Sequence, residues 1–385
     1  MRRISFKMEP LAPFRLDLTV WALRRRAHNL VDRWDGRTYR RVLALEVTPV
    51  EVAVTQTGPP ERPEILVNVH GAPPATETEK ALRATLTRVL GLEVDLGGFY
   101  RFAEGDPRLA SLSGRFRGLK PPRFPTLFEA LVNAFACQQL SLSLGIHLLN
   151  RLAAVCGARF PGTHSRNLKS IPPHPSPLPP LAGGEGEEGG LPEFSQREFD
   201  RRFRQIFGVA PSSQDHPESS KRQKAKSPLL PLDLSLALSV GFPRPQDAAP
   251  LTPENFRALG YSRSKGAFII ELARGLVEKT IDLEALASLD DEAATNRLKE
   301  IKGVGRWSAE YVLLRGLGRR HLFPGDDVGA RQKLARWLHH IGPLNYEGVR
   351  KLLGSWQPYG GLIYFHLLLD GLAKEGYLQE VGGEG

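Results

Sequence analysis

The sequence predicts an α+β fold, a small mixed α/β N-terminal domain followed by a mainly α-helical core. Three observations carry the prediction. Runs rich in β-branched residues crowd the first 70 positions, as in Val50-Glu51-Val52-Ala53-Val54 and Ile65-Leu66-Val67-Asn68-Val69. From Thr126 the apolar residues recur at helical spacing instead. Between residues 298 and 331, two helical segments are joined by Lys302-Gly303-Val304-Gly305. Two glycines around one apolar residue make a tight hairpin, because glycine takes φ > 0 and admits a close backbone.

In chain order, residues 10–115 form the mixed domain. A helix begins at Trp21-Ala22-Leu23, a strand pair covers 39–45 and 50–54, and a third strand covers 65–69. Residues 76–91 make an amphipathic helix with Leu82, Leu86 and Leu90 on one face and Gly91 as its stop. The basic triplet Arg24-Arg25-Arg26 reads as a solvated helix face. The helical core is expected over 120–160 and 230–378. Thr126-Leu127-Phe128-Glu129 has the form of a capping box. Its helix reaches Cys137-Gln138-Gln139-Leu140, and Ser141 can cap the next one, which runs to Gly157. Gln139 and Leu140 therefore sit at a helix–helix junction, where Leu140 is either an exposed wedge or a core leucine.

Residues 161–229 break the pattern. Proline-rich and Gly/Glu-rich tracts cannot build a packed core, so this stretch reads as a low-complexity, disordered insertion. A short helix fits Phe194 to Phe207, and residues 165–228 are expected to be dispensable. The fold resumes near Leu234, with a capped start at Thr252-Pro253-Glu254 and a helix through Leu276. After the hairpin comes Phe323-Pro324-Gly325-Asp326-Asp327, then helices over about 328–340, 346–354 and 359–374.

The 385 residues suffice for two or three domains, and the net charge of +10 suits a polyanionic partner. Two cysteines, Cys137 and Cys156, cannot make a disulfide framework and suit a reducing compartment. No signal-peptide core and no membrane-length apolar run is visible. Charge alone does not separate DNA from RNA or a membrane surface. The protein is expected to be intracellular.

The hairpin, the Gly/Pro-rich loop and the aspartate behind it together resemble the helix-hairpin-helix DNA glycosylases. Within them, Gly303-Val304-Gly305-Arg306-Trp307-Ser308-Ala309-Glu310-Tyr311 and Phe323-Pro324-Gly325-Asp326-Asp327-Val328-Gly329-Ala330-Arg331 resemble the DNA-3-methyladenine glycosylase II family. The resemblance implies a small mixed domain packed beside a catalytic core, with a much shorter connection where residues 161–229 stand. It implies a monomer whose partner is double-stranded DNA with damaged bases, with no membrane involved, held at a bacterial-type nucleoid through that DNA. It also implies excision of alkylated purines, of the 3-methyladenine and 7-methylguanine type, in base excision repair. The two cysteines exclude the four-cysteine iron–sulfur cluster that some of these enzymes carry.

Removing a base from a duplex requires the nucleotide to be flipped into a pocket. The hairpin residues Lys302, Gly303, Val304 and Gly305 would grip a phosphate, with the free N–H groups of the following helix behind them. The resemblance places a monovalent cation, Na+ or K+, on the backbone carbonyls of Lys299, Ile301 and Val304; no cofactor is otherwise required. It gives Leu140, with Gln139, the part of a wedge in the base stack. Trp307 and Tyr311, four apart, share a helix face and are either pocket aromatics or core packing. An aromatic face attracts a cationic alkylated base. Asp327 is the expected catalytic acid, stabilising positive charge on the sugar, although an aspartate there can also simply cap a helix. Asp326 is the second candidate for the acid but is rather expected to be that cap. Relatives that form an imine carry lysine where this chain has Trp307, so water is the expected nucleophile and no lyase activity follows. Many relatives also have a tryptophan near the position of Leu368, which bears on substrate range. Two alternatives remain: a glycosylase for another damaged base, or a non-catalytic DNA-binding protein.

Overall fold

The computed structural model describes residues 3–44, 48–71, 76–160, 194–207 and 239–378. Five strands form the N-terminal sheet: β1 (Arg3–Met8), β2 (Arg33–Trp34), β3 (Thr38–Ala44), β4 (Pro49–Gln56) and β5 (Ile65–His70). Their order is β1-β5-β4-β3-β2, and every pairing is antiparallel. In β5 the side chains alternate, with Ile65, Val67 and Val69 fully buried and their neighbours partly exposed. That period of two is what places one face of a strand on a core. The middle of β4, Val50 to Val54, is buried on both faces, which accounts for its unbroken run of small apolar residues around Glu51. Two pieces of the sheet escaped the sequence reading: β1 begins before residue 10, and β2 is only two residues long.

Helix α1 (Leu16–Arg24) lies between β1 and β2 in sequence. After β5 come α2 (Thr76–Leu90), α3 (Gly97–Ala103) and α4 (Pro107–Arg115). The helical core opens with α5 (Leu127–Cys137) and α6 (Leu142–Cys156). A small ribbon of β6 (Arg159–Phe160) and β7 (Ser239–Val240) follows, with α7 (Gln196–Phe207) between its strands in sequence. Residues 159–160 and 239–240, far apart in sequence, are thus paired. Then come α8 (Pro245–Ala248), α9 (Pro253–Ala258), α10 (Arg263–Val277), α11 (Asp291–Lys299) and α12 (Arg306–Val312). A π-helical turn (Leu313–Leu317) leads on to α13 (Val328–Trp337), α14 (Tyr346–Leu353) and α15 (Gly360–Lys374). One apolar core joins the sheet to α2, α5, α6, α7, α10 and α12. A second joins α1, α3 and α4 to α13, α14 and α15. The cleft described below opens where α12, of the first core, meets α13 and α15, of the second.

Three expectations need correction. The triplet Arg24-Arg25-Arg26 is not a solvated face: Arg24 and Arg25 are each 4% exposed. Their terminal nitrogens find internal acceptors, Arg24 in the carbonyls of Trp34 and Ala27, Arg25 in Tyr311 and Asn133. Only half of the expected capping box forms at α5. Thr126 accepts from the Glu129 N–H, but the Glu129 carboxylate instead takes Arg41 Nη2 at 2.5 Å. Arg41 also donates to Asp32 at 2.6 Å, so a buried ion network ties the sheet to α5. Finally, the stretch 161–229 is not without a core. Within it, α7 buries Phe199, Phe203 and Ile206 at spacings of four and three, one face of a helix. The remainder, residues 161–193 and 208–229, lies outside the described residues.

Candidate active site

The hairpin between α11 and α12 is closed by an N–H bond from Val304 to the Ile301 carbonyl at 3.0 Å. Gly303 sits at φ +85°, and a Cβ there would lie 2.2 Å from the Phe268 ring. No other residue type fits. Gly305 differs from the expectation: its φ is −95° in an extended conformation, and a Cβ would meet nothing within 4 Å. It is the N-cap of α12 and has no side chain to bond the first N–H groups, which stay free at the tip. Alanine at 303 is therefore expected to lower stability by about 1–3 kcal/mol, while alanine at 305 stays within about 0.5 kcal/mol. Thermal unfolding of the two variants checks this, and equal losses would mean that Gly305 is also under backbone strain. Lys302 is exposed and paired with Glu271 at 2.7 Å, outside the hairpin's own turn.

The α5–α6 junction stands against this hairpin. Gln138 donates through Nε2 to the Gly303 carbonyl at 2.9 Å and to Ser308 Oγ at 2.8 Å. Lys265, from α10, donates to the Gln138 carbonyl at 2.6 Å and so closes the end of α5. Gln139 is held at φ +55°, and Leu140 beside it is 37% exposed. Ser141 caps α6 by accepting from the Leu144 N–H. The junction thus presents an apolar tip at a fixed place relative to the hairpin.

Between junction and hairpin lies a cleft of about 960 Å³. Its walls include Gln139, Leu140, Trp307, Tyr311, Asp327 and Leu368, so the separately predicted residues converge. Trp307 and Tyr311 project from α12 with ring centroids 5.5 Å apart. Asp327 is the N-cap of α13, its Oδ1 accepting from the Ala330 N–H at 2.8 Å. Its other oxygen faces Trp307 Nε1 at 3.3 Å and the Tyr364 hydroxyl at 3.4 Å, both long contacts. One carboxylate oxygen is therefore spent on the helix and the other is turned into the cleft. Asp326 is not the cap. It pairs with Arg306 at 2.6 Å, and Arg306 lies 3.7 Å over the Tyr346 ring. Glu310, buried between them, accepts from the Gly325 N–H and the Tyr346 hydroxyl. Burial pushes its carboxyl above the usual range, despite those two donors. This cluster pins the loop carrying Asp327 to α12.

Sequence reasoning missed four contributors. Arg25, whose Nη1 bonds the Tyr311 hydroxyl at 2.9 Å, comes from the far end of the chain. Tyr364 is on α15, and burial raises its phenol well above the ordinary value, with Asp327 acting in the same direction. Lys333 lies on α13, in the wall beside Asp327. Gln138 had the nearest thing to a signal, being adjacent to the pair at the junction. Among the described residues no group of side chains could hold a metal ion. The backbone carbonyls of Lys299 and Val304 accept no backbone N–H among the described residues, whereas that of Ile301 is partly used. No described helix is long and apolar enough to cross a membrane.

The hairpin, the apolar tip and a carboxylate in an aromatic cleft thus stand together on a helical core. Residues 223–358 match the model of the HhH-GPD superfamily of base excision DNA repair proteins. A putative DNA-3-methyladenine glycosylase of Bacillus subtilis is 30% identical over 118 residues, 31% of this chain and 41% of the relative. DNA-3-methyladenine glycosylase 2 of Escherichia coli is 28% identical over 126 residues, 33% of this chain and 42% of the relative. The chain thus spans about two fifths of the length of these curated relatives. The solved 3-methyladenine DNA glycosylase of Archaeoglobus fulgidus has the same fold, with TM-score 0.67 and 22% identity over 94% of this chain and 97% of that one. An 8-oxoguanine glycosylase/lyase of Clostridium acetobutylicum in complex with DNA also shares it, with TM-score 0.61 and 13% identity over 97% of this chain and 99% of the other.

Proposed function

We propose that this protein is a monofunctional DNA glycosylase that flips alkylated purines out of duplex DNA and hydrolyses their N-glycosidic bond. The observation that carries the reading is Asp327, with one oxygen turned toward Trp307 in a cleft flanked by the hairpin and the Leu140 tip. The hairpin holds the backbone, and Leu140 fills the gap left by the extruded nucleotide. Trp307 and Tyr311 receive the base, a cationic one favoured by their π-faces. As the C1′–N bond breaks, positive charge grows on the sugar, and the Asp327 carboxylate stabilises it and orients the attacking water. The Ala330 N–H fixes that carboxylate in place. The Lys299 and Val304 carbonyls, which take no backbone N–H among the described residues, suit with that of Ile301 a Na+ or K+ ion, which would add a positive charge beside the gripped phosphate. All the groups in this scheme come from one chain, so a monomer suffices.

The test is release of free base from duplex oligonucleotides carrying 3-methyladenine, 7-methylguanine or oxidised purines. Duplex binding without release of any of them would leave a binding module only. The monofunctional part has its own check. An indole at position 307 cannot form an imine, so the strand should stay intact until alkali or heat is applied. Borohydride during turnover is expected to trap no protein–DNA adduct, and a trapped adduct would show that some amine reaches C1′.

A further inference from the structure

Lys333 is the cleft-lining group that this scheme leaves without a task. It lies on α13, six residues after Asp327, and its side chain runs back toward the start of that helix. A Cβ on Gly329 would lie 3.4 Å from Asp327 Oδ1 and 4.0 Å from Lys333 Nζ, so carboxylate and amine border the same small volume. The stem passes α15 at Gly371, where a Cβ would come within 2.4 Å of Lys333 Cε. Only a residue without a side chain at 371 leaves that path open. Having arrived in the wall of the cleft, the amine makes no hydrogen bond or ion pair with any described residue. A partly buried ammonium without a partner is costly, and such groups tend to be matched to something that binds there.

The charges around the cleft suggest what that is. Arg25 and Lys333 line it, and Arg315, fully buried, lies behind Tyr311 with its guanidinium 5.7 Å from that ring. Asp327 is the carboxylate set directly against the cleft's aromatic wall. A purine carrying a fixed positive charge leaves as a neutral molecule and needs no proton. A neutral damaged purine instead leaves as an anion, and an ammonium beside it offsets that charge. The charged groups facing Lys333 are Asp327 and Glu375, which favour its charged form, and Arg26 and Arg336, which oppose it. Burial outweighs them and draws the amine below the ordinary lysine value, which makes its proton easier to give up.

We propose that Lys333 is a further catalytic residue, the general acid that lets this site expel uncharged damaged purines as well as cationic ones. The inference rests on the glycosylase reading above. In the step, the C1′–N bond breaks with both electrons going to the base, and the Lys333 ammonium proton passes to a ring nitrogen of that base. Water adds to the sugar cation beside Asp327 and loses one proton to solvent. The Lys333 amine then takes a proton back from solvent, so the sum is hydrolysis.

The test compares single-turnover release of hypoxanthine, neutral in DNA, with release of 7-methylguanine, cationic in DNA. Lys333→Met keeps the stem in the Gly371 notch and removes the proton. Release of hypoxanthine is expected to fall by about 10²-fold or more, as for loss of a general acid. Release of 7-methylguanine should change by less than about threefold, or rise as a like charge is removed. The basic limb of the hypoxanthine pH–rate profile should disappear in the variant. Equal losses on both bases would show a structural role and overturn the proposal, as would an unchanged hypoxanthine rate or a wild-type protein inactive on hypoxanthine alone. Wild-type protein that releases neither base overturns the glycosylase reading itself, a result distinct from equal losses in an active enzyme.

Discussion

Replacing Asp327 with Asn is expected to lower base excision by about 10²-fold or more while leaving duplex affinity nearly unchanged. The substitution separates the two tasks of this side chain. Asparagine is as good an N-cap as aspartate, so its Oδ1 can still accept from the Ala330 N–H and α13 should keep its start. What disappears is the negative charge facing Trp307 in the cleft. Stability should therefore stay within about 1 kcal/mol of wild type, whereas Asp327→Ala should lose about 1 kcal/mol of capping as well. Asp326→Asn is the control. It breaks a half-exposed ion pair with Arg306 and should affect excision far less. Near-normal excision by Asp327→Asn, or a larger loss in Asp326→Asn, would place the reacting carboxylate elsewhere.

How much of this site could be read from the chain depends on how local its causes are. The hairpin was legible because a positive φ at Gly303 and a turn of four residues are local backbone chemistry. Asp327 was legible by its place between a Gly/Pro loop and a helix start. Which of the two aspartates caps the helix was not, because that choice depends on Arg306, 20 residues upstream, drawing Asp326 away. Arg25 bonds Tyr311 across 286 residues, and nothing in a basic triplet announces such a partner. Charge led to solvent as the expected surroundings, and the burial of Arg24 and Arg25 depends on acceptors that only the fold assembles. Tyr364 was hidden because it lies on a helix buried along most of its length, and Lys333 because nothing in the polar sequence of α13 marks which of its basic residues turns into the cleft. The sheet was readable at β3, β4 and β5, where β-branched residues cluster. At β1 it was not, because Lys7 and Ser5 dilute the signal of an edge strand.

The same limit explains α7, whose loss should be the costliest structural change in the chain. The helix itself was legible over Phe194 to Phe207, but its neighbours in sequence are low-complexity tracts, and composition averaged over 161–229 conceals that its apolar stripe packs into the core. Phe199 is fully buried, stacked on Phe203 at 5.8 Å, and Phe203 in turn meets Phe207 at 4.6 Å. From the same helix Arg202 donates to the Gly157 carbonyl at 2.9 Å, at the end of α6. Arg151 of α6 lies 4.8 Å over the Phe207 ring. The helix that carries the Leu140 tip at its start is thus braced by α7 at its end. Phe199→Ala is expected to destabilise the protein by about 3–5 kcal/mol, a large share of the roughly 5–15 kcal/mol that holds a typical domain together. Replacing all of 165–228 with a Gly/Ser linker should cost at least as much, contrary to what the composition suggests. A shorter replacement that keeps residues 194–207 intact should escape that cost. Denaturant unfolding of the three variants decides the matter: a change below about 0.5 kcal/mol in Phe199→Ala would mean that α7 only rests on the core.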